Sequence, residues 1–111
     1  MDGVQEIFTA LADPTRRALL ARLAEGEAGV MELAEPFEMS QPAISRHLKV
    51  LEDAGLIARR VDGARRPCRL VSGGTAPVEH WLEELRRVFA ANYERLDALL
   101  AAGLPPRKDE T

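Results

Sequence analysis

The side chains with the most distinctive chemistry lie between residues 40 and 49 of the 111-residue sequence. Hydrogen-bond donors occur there at Gln41, Ser45, Arg46 and Lys49, and no acidic residue lies among them. An amide can pair with adenine through two hydrogen bonds, a guanidinium can pair with guanine in the same way, and an ammonium can bind phosphate. These residue types therefore suggest contact with a nucleic acid, provided that they share one exposed surface.

A helix over residues 41–54 would give these donors a common surface. Ser40 is a good N-cap for such a helix, and Gly55 is suited to end it. Three aliphatic residues fall on one face at helical spacing and predict the side toward the core: Ile44, Leu48 and Leu51. The opposite face carries the donors and Pro42, whose flat apolar ring could touch a thymine methyl. Gln41 lies in the first turn, where a recognition helix meets base edges.

Two further polar residues of this helix lie apart from the donor surface. His47 lies at the border of the core face, so it could contact a phosphate or pack at the edge of the helix. Asp53 would repel phosphate and is expected outside the groove. An ordinary amphipathic helix with a solvated polar face is the competing interpretation, and the neighbouring segments decide between the two.

The segments before this helix complete a helix-turn-helix pattern. Apolar spacing predicts a first helix over residues 3–11, and Asp13-Pro14 predicts the start of a second helix that ends near Gly26. A third, shorter helix is predicted from Val30 to Phe37. Only residues 38–40 would then separate it from the fourth helix, which is the short connection typical of a helix-turn-helix.

A basic hairpin is predicted after the fourth helix, with strands over 56–61 and 66–71. Asp62-Gly63 between them favours a tight turn, in which both residues must tolerate a positive φ. Pro67 places the second strand at an edge because it has no N–H to donate. Arg65 and Arg66 lie at or next to the turn and are expected to reach a minor groove or the DNA backbone. Arg59 and Arg60 alternate along a strand, so they cannot both face the same DNA.

The last predicted helix, over 77–101, has more apolar positions than a small core needs. They recur in steps of three and four, the spacing of helices that pair with each other. A homodimer is therefore expected. Its predicted interface consists of apolar residues from the first and last helices: Val4, Ile7, Phe8, Leu82, Leu85, Phe89 and Leu96. Residues 1–101 are predicted to form one DNA-binding and dimerisation domain, followed by a disordered tail over 102–111.

Composition and charge agree with this reading and exclude several others. The net charge is −3, but residues 41–70 alone carry three acids and seven bases, so positive charge is concentrated in the middle of the chain. No apolar run is long enough for a membrane span, and Cys68 is the single cysteine, so we expect a cytoplasmic protein without an internal disulfide. No catalytic Ser/His/Asp set, phosphate-binding glycine loop or suitably placed acid pair is present, so no enzyme is expected.

Several stretches resemble the ArsR/SmtB family of winged-helix repressors: residues 12–17 (Ala-Asp-Pro-Thr-Arg-Arg), 32–34 (Glu-Leu-Ala), 39–51 and 54–57. The resemblance implies a winged helix-turn-helix, mainly α with a small two-stranded β-wing, in the order α1-α2-α3-α4-β1-β2-α5. It also implies a dimer with the fourth helix in the major groove of double-stranded DNA at an inverted-repeat operator. Pattern and resemblance together predict these DNA-binding residues: Ser40, Gln41, Pro42, Ser45, Arg46, His47, Lys49, Arg65 and Arg66.

The family's metal sites have no full counterpart in this sequence. The positions that match a Cys-Val-Cys pair in the third helix are Gly29, Val30 and Met31. Of a second ligand set on the last helix only His80 and Glu94 remain, whereas zinc generally takes three or four ligands. The sequence thus resembles a metal-blind branch of the family, and no metal or cofactor is predicted.

The predicted function is that of a dimeric repressor that blocks a promoter, in this family often its own. One alternative is a winged-helix module that binds another protein and no longer reads DNA. Two others are a repressor released by oxidation of Cys68 and one released by a small apolar molecule near Trp81, Phe89 and Tyr93. Inward-facing Cys68 and aromatic residues at core-like helical spacing make both of these weaker.

Overall fold

The computed structural model describes residues 3–103. Within that range the chain forms seven elements: α1 (Val4–Leu11), α2 (Pro14–Leu23), α3 (Val30–Ala34), α4 (Gln41–Asp53), β1 (Ile57–Arg59), β2 (Cys68–Leu70) and α5 (Ala76–Ala101). The predicted order of elements and the predicted class, mainly α with one two-stranded sheet, are confirmed. Backbone contacts divide the chain into two units, the first ending at Val78 and the second beginning at Glu79.

The junction between α1 and α2 is built from the side chains that open α2. Asp13 caps α2 by accepting a hydrogen bond from the backbone N–H of Arg16 at 3.0 Å, and Pro14 occupies the start of the helix, as predicted. Arg16 and Arg17 extend back to α1, whose last carbonyls have no partner inside the helix. Their guanidinium groups donate at 2.8, 2.8 and 2.7 Å to the carbonyl oxygens of Thr9, Ala10 and Leu11.

The first unit encloses one apolar core to which every one of its elements contributes. Its fully buried side chains include Ile7, Leu19, Leu33, Ile44, Leu48, Leu51, Ile57 and Cys68. Truncation of a buried leucine such as Leu48 to alanine typically costs about 2–5 kcal/mol of stability. The inward orientation predicted for Cys68 is confirmed, and burial raises the pKa of its thiol.

The helix-turn-helix connection is longer than predicted because α3 is shorter. The sequence predicts a third helix to Phe37, but α3 ends at Ala34, so residues 35–40 form the connection. Pro36 explains the difference, since it has no N–H to donate back to the preceding turn of a helix. Phe37 still packs against the core and closes a turn on the carbonyl of Ala34 at 3.0 Å, which is why the apolar pattern continued past the helix.

The hairpin is also shorter than predicted, and its turn lies one residue later. β1 and β2 pair antiparallel with Ile57 opposite Leu70. The ladder weakens at Pro67, whose carbonyl accepts from Arg60 N–H at 3.2 Å but which cannot return a bond. Asp62 and Arg65 then exchange two backbone hydrogen bonds of 3.0 Å, so the central turn residues are 63 and 64 and not Asp62-Gly63.

The backbone of the turn requires glycine at one position only. Gly63 has φ of 64°, and no residue other than glycine has a positive φ in the described part of the chain. A positive φ at the first central residue, Gly63, and a negative φ at the second, Ala64, are typical of a type II′ turn. This turn type matches the twist of the two strands in a hairpin. The expectation that both turn residues need positive φ is therefore wrong.

A short third segment supports the root of the hairpin. Ala28, just before α3, exchanges backbone hydrogen bonds with Cys68 of β2 at 2.9 and 3.2 Å. At Cys68, β2 is thus bonded on both sides, to β1 and to the segment that leads into α3, so the predicted edge position of this strand is wrong at that residue. Arg60 adds a side-chain connection to the same segment, because its guanidinium donates two bonds, at 3.1 and 2.8 Å, to the carboxylate of Glu27.

The second unit, as far as it is described, continues α5 to Ala101 and a turn to residue 103. The long final helix is confirmed, beginning one residue earlier than predicted. None of the helices within residues 3–103 combines the length and apolar character that crossing a bilayer requires. Most of the predicted tail, residues 104–111, lies outside the described residues.

Candidate nucleic-acid interface

α4 presents two different faces, as its sequence predicts. Ile44, Leu48 and Leu51 are completely buried. The side chains opposite them that are exposed are Gln41, Pro42, Arg46 and Lys49, whereas Ser45 is half-buried. The helix is therefore held on the core by its aliphatic face while its polar face stays open to solvent.

The ends of α4 are fixed by local hydrogen bonds. The Ser40 hydroxyl accepts from the backbone N–H of Ala43 at 3.3 Å, which is the expected N-cap. Gly55 follows the helix with φ of 79°, a left-handed conformation that favours glycine at this position. The Ser40 Oγ caps α4, so this residue stabilises the start of the helix.

The two cations on the open face have different surroundings. Arg46 is exposed and forms no ion pair with any residue between 3 and 103. Lys49 pairs with Asp53 one turn later, with Nζ and Oδ1 3.0 Å apart. The hydrogen bond with Asp53 raises the pKa of Lys49 and offsets part of its charge. Within residues 3–103, Arg46 is therefore the exposed cation of α4 that has no acidic partner.

His47 packs at the edge of α4, and not on its open face. Its Nδ1 atom lies 3.2 Å from a guanidinium nitrogen of Arg16 and 4.0 Å from a carboxylate oxygen of Asp13. The side chain is only 19% exposed. Of the two environments that the sequence left open, packing at the helix edge is the one observed.

Sequence reasoning missed Arg16 as part of this region. A signal for it was present, because cations are disfavoured in the first turn of a helix by the helix dipole, yet Arg16 and Arg17 both stand near the start of α2. Arginine at such a position indicates that its side chain has partners elsewhere. Those partners are the end of α1 and His47.

Four arginines of the hairpin divide into two groups, Arg59 with Arg60 and Arg65 with Arg66. Arg59 lies against α4, with Nε 3.8 Å from Glu52, an Nη 3.5 Å from the carbonyl of Ser45, and its Nε buried without a hydrogen bond. Arg60 points the other way, to Glu27, which confirms that the two face opposite sides. The bonds from Arg60 hold the pKa of Glu27 below its ordinary value.

Arg65 and Arg66 form the second group, at the tip of the hairpin. Both are exposed, and within the described chain neither pairs with an acid. Together with Gln41 they line an open groove of about 1020 Å³ between α3, the start of α4 and the hairpin. The structure thus brings together three of the predicted DNA-binding residues from two separate segments of sequence.

The residues predicted for a dimer interface differ in how much surface they offer. Ile7 is 1% exposed and belongs to the core of the first unit, so its place in the predicted interface is wrong. At residue 7 the apolar spacing of α1 places the side chain in the core of the first unit, and not on an interface. Phe8 is 39% exposed and Val4 is half-buried. On α5, Leu82 and Phe89 are exposed, and Leu85 and Leu96 are half-buried.

The residues considered for metal binding or redox chemistry are His80, Glu94 and Cys68. His80 forms an exposed ion pair with Glu84, with Nε2 and Oε1 3.2 Å apart, one turn along α5. The described residues contain no group of three or more His, Cys, Asp or Glu side chains placed to hold a metal. Cys68 is buried, and its raised pKa disfavours the reactive thiolate.

Comparison with known proteins agrees with this arrangement. Residues 13–59, from the cap of α2 to the end of β1, match the model of the arsR family of bacterial regulatory proteins. The HTH-type transcriptional regulator Rv2034 of Mycobacterium tuberculosis is 42% identical over 89 residues, which cover 80% of this chain and 83% of that protein. These relatives are described as regulators of transcription, and not as enzymes.

Solved structures show the same fold. The crystal structure of the ArsR family transcriptional regulator RHA00566 is 43% identical, with a TM-score of 0.74, and the match covers 79% of this chain and 97% of that one. A homodimeric winged helix-turn-helix DNA-binding domain from Mycobacterium bovis, solved by NMR, is 28% identical with a TM-score of 0.60, over 85% of this chain and 84% of its own. The chain belongs to the ArsR family of transcriptional regulators and carries the family's DNA-binding winged helix-turn-helix.

Proposed function

We propose that this protein is a sequence-specific repressor that binds double-stranded DNA as a homodimer through α4 and the tip of the hairpin. The observation that carries the proposal is that Gln41, at the acid-free start of α4, lines one groove with two exposed arginines of the hairpin tip, Arg65 and Arg66. Four acids also line this groove, and two of them, Glu27 and Asp62, form ion pairs with Arg60. A helix in the major groove and a hairpin on the neighbouring backbone would use these two surfaces together.

Each predicted DNA-binding residue has a role in this proposal. Arg46 pairs with guanine and Gln41 with adenine, Ser45 contacts either base, and Pro42 packs on a thymine methyl. The remaining members contact the backbone or hold the helix: Ser40, His47, Lys49, Arg65 and Arg66. The half-buried position of Ser45 and the paired state of Lys49 favour Arg46 as the main specificity residue.

The dimer is proposed to use the apolar surface of α5, with Val4 and Phe8 of α1 contributing. Trp81, Leu82 and Phe89 are each at least 43% exposed in the single chain, which is costly for an unpaired helix in water. The homodimeric state of the similar domain from Mycobacterium bovis supports the same assembly here. Two-fold symmetry would present two α4 helices about 34 Å apart, which requires an inverted-repeat operator.

Repression follows from occupancy of a promoter, including the promoter of the protein's own gene. A dimer bound at a promoter would exclude polymerase from it, which is the proposed mechanism. We further propose that release from DNA does not depend on a metal, because Gly29 and Met31 stand at the positions of the family's thiolate pair.

Selection from a pool of random duplexes tests this function. The full chain should enrich an inverted repeat with half-sites about one helical turn apart, and the same sequence should be footprinted upstream of its own gene. Enrichment of a single half-site would contradict the dimeric mode of reading. Binding without any enrichment would favour the alternative, a winged-helix module that binds another protein.

A further inference from the structure

One side chain joins three separate parts of the first unit. The guanidinium of Arg16, in α2, donates to the carbonyl oxygens of Thr9 and Ala10 at the end of α1, at 2.8 Å each. The same group lies 3.2 Å from Nδ1 of His47 in α4. Arg16 therefore connects α1, which carries the proposed dimer residues Val4 and Phe8, with the helix that is proposed to read DNA.

The chemistry of arginine determines the direction of the third contact. A guanidinium is always protonated and has donors only, so Nδ1 of His47 must be the acceptor and the ring must carry its proton on Nε2. The carboxylate of Asp13, 4.0 Å from Nδ1, is too distant to compete for a hydrogen bond. Arg16 and Asp13 are the charged groups that the structure places beside this ring atom.

The planar fork of Arg16 also limits how α4 can move. Its donors are held at fixed angles by the guanidinium plane, and two of them are bound to the backbone of α1. A rotation of α4 about its axis would break the third bond. Ser45 and Arg46 directly precede His47, so the same rotation would displace the groups proposed to meet the bases.

We propose that Arg16 is a positioning residue for DNA reading, which fixes the orientation of α4 through Nδ1 of His47. His47 then affects DNA binding through its contact with Arg16, and its Nε2 atom does not need to contact a phosphate. The inference rests on the proposed function, because it assumes that α4 reads the DNA, and it adds a residue outside the helix-turn-helix to the determinants of affinity.

Two substitutions at His47 separate these roles. In His47→Asn the side-chain amide occupies the region of Nδ1, and in His47→Gln it extends to the region of Nε2. If His47 acts through Arg16, His47→Asn should keep the affinity for the selected duplex within about twofold, whereas His47→Gln should lower it about tenfold, equivalent to about 1.4 kcal/mol. The reverse order, or full affinity in both variants, would overturn the proposal.

Arg16→Lys supplies the second arm of the experiment, since an ammonium keeps the charge but cannot reproduce the fork. Arg16→Lys alone should lower affinity about as much as His47→Gln, and the double variant should lose little more than either single one. If both His47 variants lose affinity, the comparison of the double variant with the two single variants decides. A loss in the double variant equal to the sum of the single losses would overturn the proposal, and a loss no larger than that of either single variant would support it.

Three controls separate a positioning role from a general loss of folding and from failure of the proposed function. Unfolding midpoints and sedimentation show whether each variant remains a folded dimer at the concentration of the binding assay. Arg46→Ala is titrated on the same duplexes. If Arg46→Ala keeps its sequence preference, the proposed function fails. If Arg46→Ala loses the preference while Arg16→Lys and His47→Gln bind normally, only the present inference fails.

Discussion

Lys49 and Asp53 form an ion pair across one turn of α4, with Nζ and Oδ1 3.0 Å apart. The pairing orients Lys49 along the helix and raises its pKa, chiefly through the hydrogen bond with Asp53. In the DNA complex the same ammonium would have to exchange a carboxylate for a phosphate. If Lys49 binds phosphate as proposed, we expect Asp53 to reduce its contribution to affinity.

Removal of this acid should strengthen binding to all DNA. Asp53→Asn releases Lys49 and deletes one negative charge near the backbone, so affinity should rise several-fold on selected and scrambled duplexes alike. The slope of log affinity against log salt concentration should become steeper by no more than about one unit, which corresponds to one released counterion. Asp97→Asn, which removes an acid from α5, is the matched control and should change neither quantity. Tighter binding to the selected duplex alone would contradict this account of Lys49.

Acid should weaken the cap of α2. The pKa of Asp13 is held below its ordinary value chiefly by the backbone N–H of Arg16, with attraction from the charge of Arg16 adding to it. A pKa that is lower in the folded chain means that ionised Asp13 stabilises fully above its unfolded value, and that this contribution is lost as pH falls through the folded value.

Asp13→Asn provides the measurement, because asparagine also caps helices but does not ionise. Wild-type protein should be the more stable at neutral pH, and the difference should shrink as pH falls below the ordinary pKa of 3.8 toward the lower pKa of the folded chain. Denaturant titrations of both proteins across this range give the result. A difference that stays constant with pH would show that the charge of Asp13 is irrelevant to the cap.

A charge at the centre of the apolar face of α5 should separate the dimer. Leu85→Glu places a carboxylate where the partner helix is proposed to pack, and burying it unpaired is strongly unfavourable. The variant should sediment as a monomer at micromolar concentration and lose its affinity for the inverted repeat. Ala91→Glu, about 120° around the helix, is the control and should remain dimeric. A monomeric wild-type protein in the same experiment would contradict the proposed assembly.

Metal ions should not release the protein from DNA. The positions that would carry thiolates are Gly29 and Met31, and Cys68 is buried in the core. Adventitious binding at His80 would have no effect on DNA, because a ligand shifts an equilibrium only through different affinities for the two states. Operator binding is measured with stoichiometric zinc, cadmium or arsenite. A fall in affinity of about tenfold or more with any one ion would mean that a ligand set exists in the assembled dimer.

The order of elements could be predicted because local rules and apolar spacing agree along most of the chain. Asp13-Pro14 and Ser40 specify the starts of α2 and α4, and both caps are confirmed by their hydrogen bonds. The errors arose where apolar spacing and backbone chemistry disagree. Phe37 continues the helical pattern of α3, but Pro36 ends the helix, and Pro67 shortens the ladder of a hairpin whose apolar residues extend further.

The site could be predicted only in part, because contacts between distant segments leave no periodic trace. The open face of α4 follows from its own sequence. The sequence does not show which arginines of the hairpin contact acids. Arg60 binds Glu27, 33 residues away, and Arg59 lies against Glu52, 7 residues away. Ile7 shows the same limit for apolar residues, because spacing cannot tell a core position from an interface position.

In the proposed complex, α4 reads base edges through Arg46, and the hairpin tip contacts the DNA backbone through Arg65. The direct measurement is a titration of Arg46→Ala and Arg65→Ala on the selected inverted repeat and on a scrambled duplex of equal length. Arg46→Ala should lose about 1–3 kcal/mol of discrimination between the two. Arg65→Ala should weaken both duplexes equally and reduce the salt slope by about one. Equal weakening of both duplexes by Arg46→Ala would contradict the account.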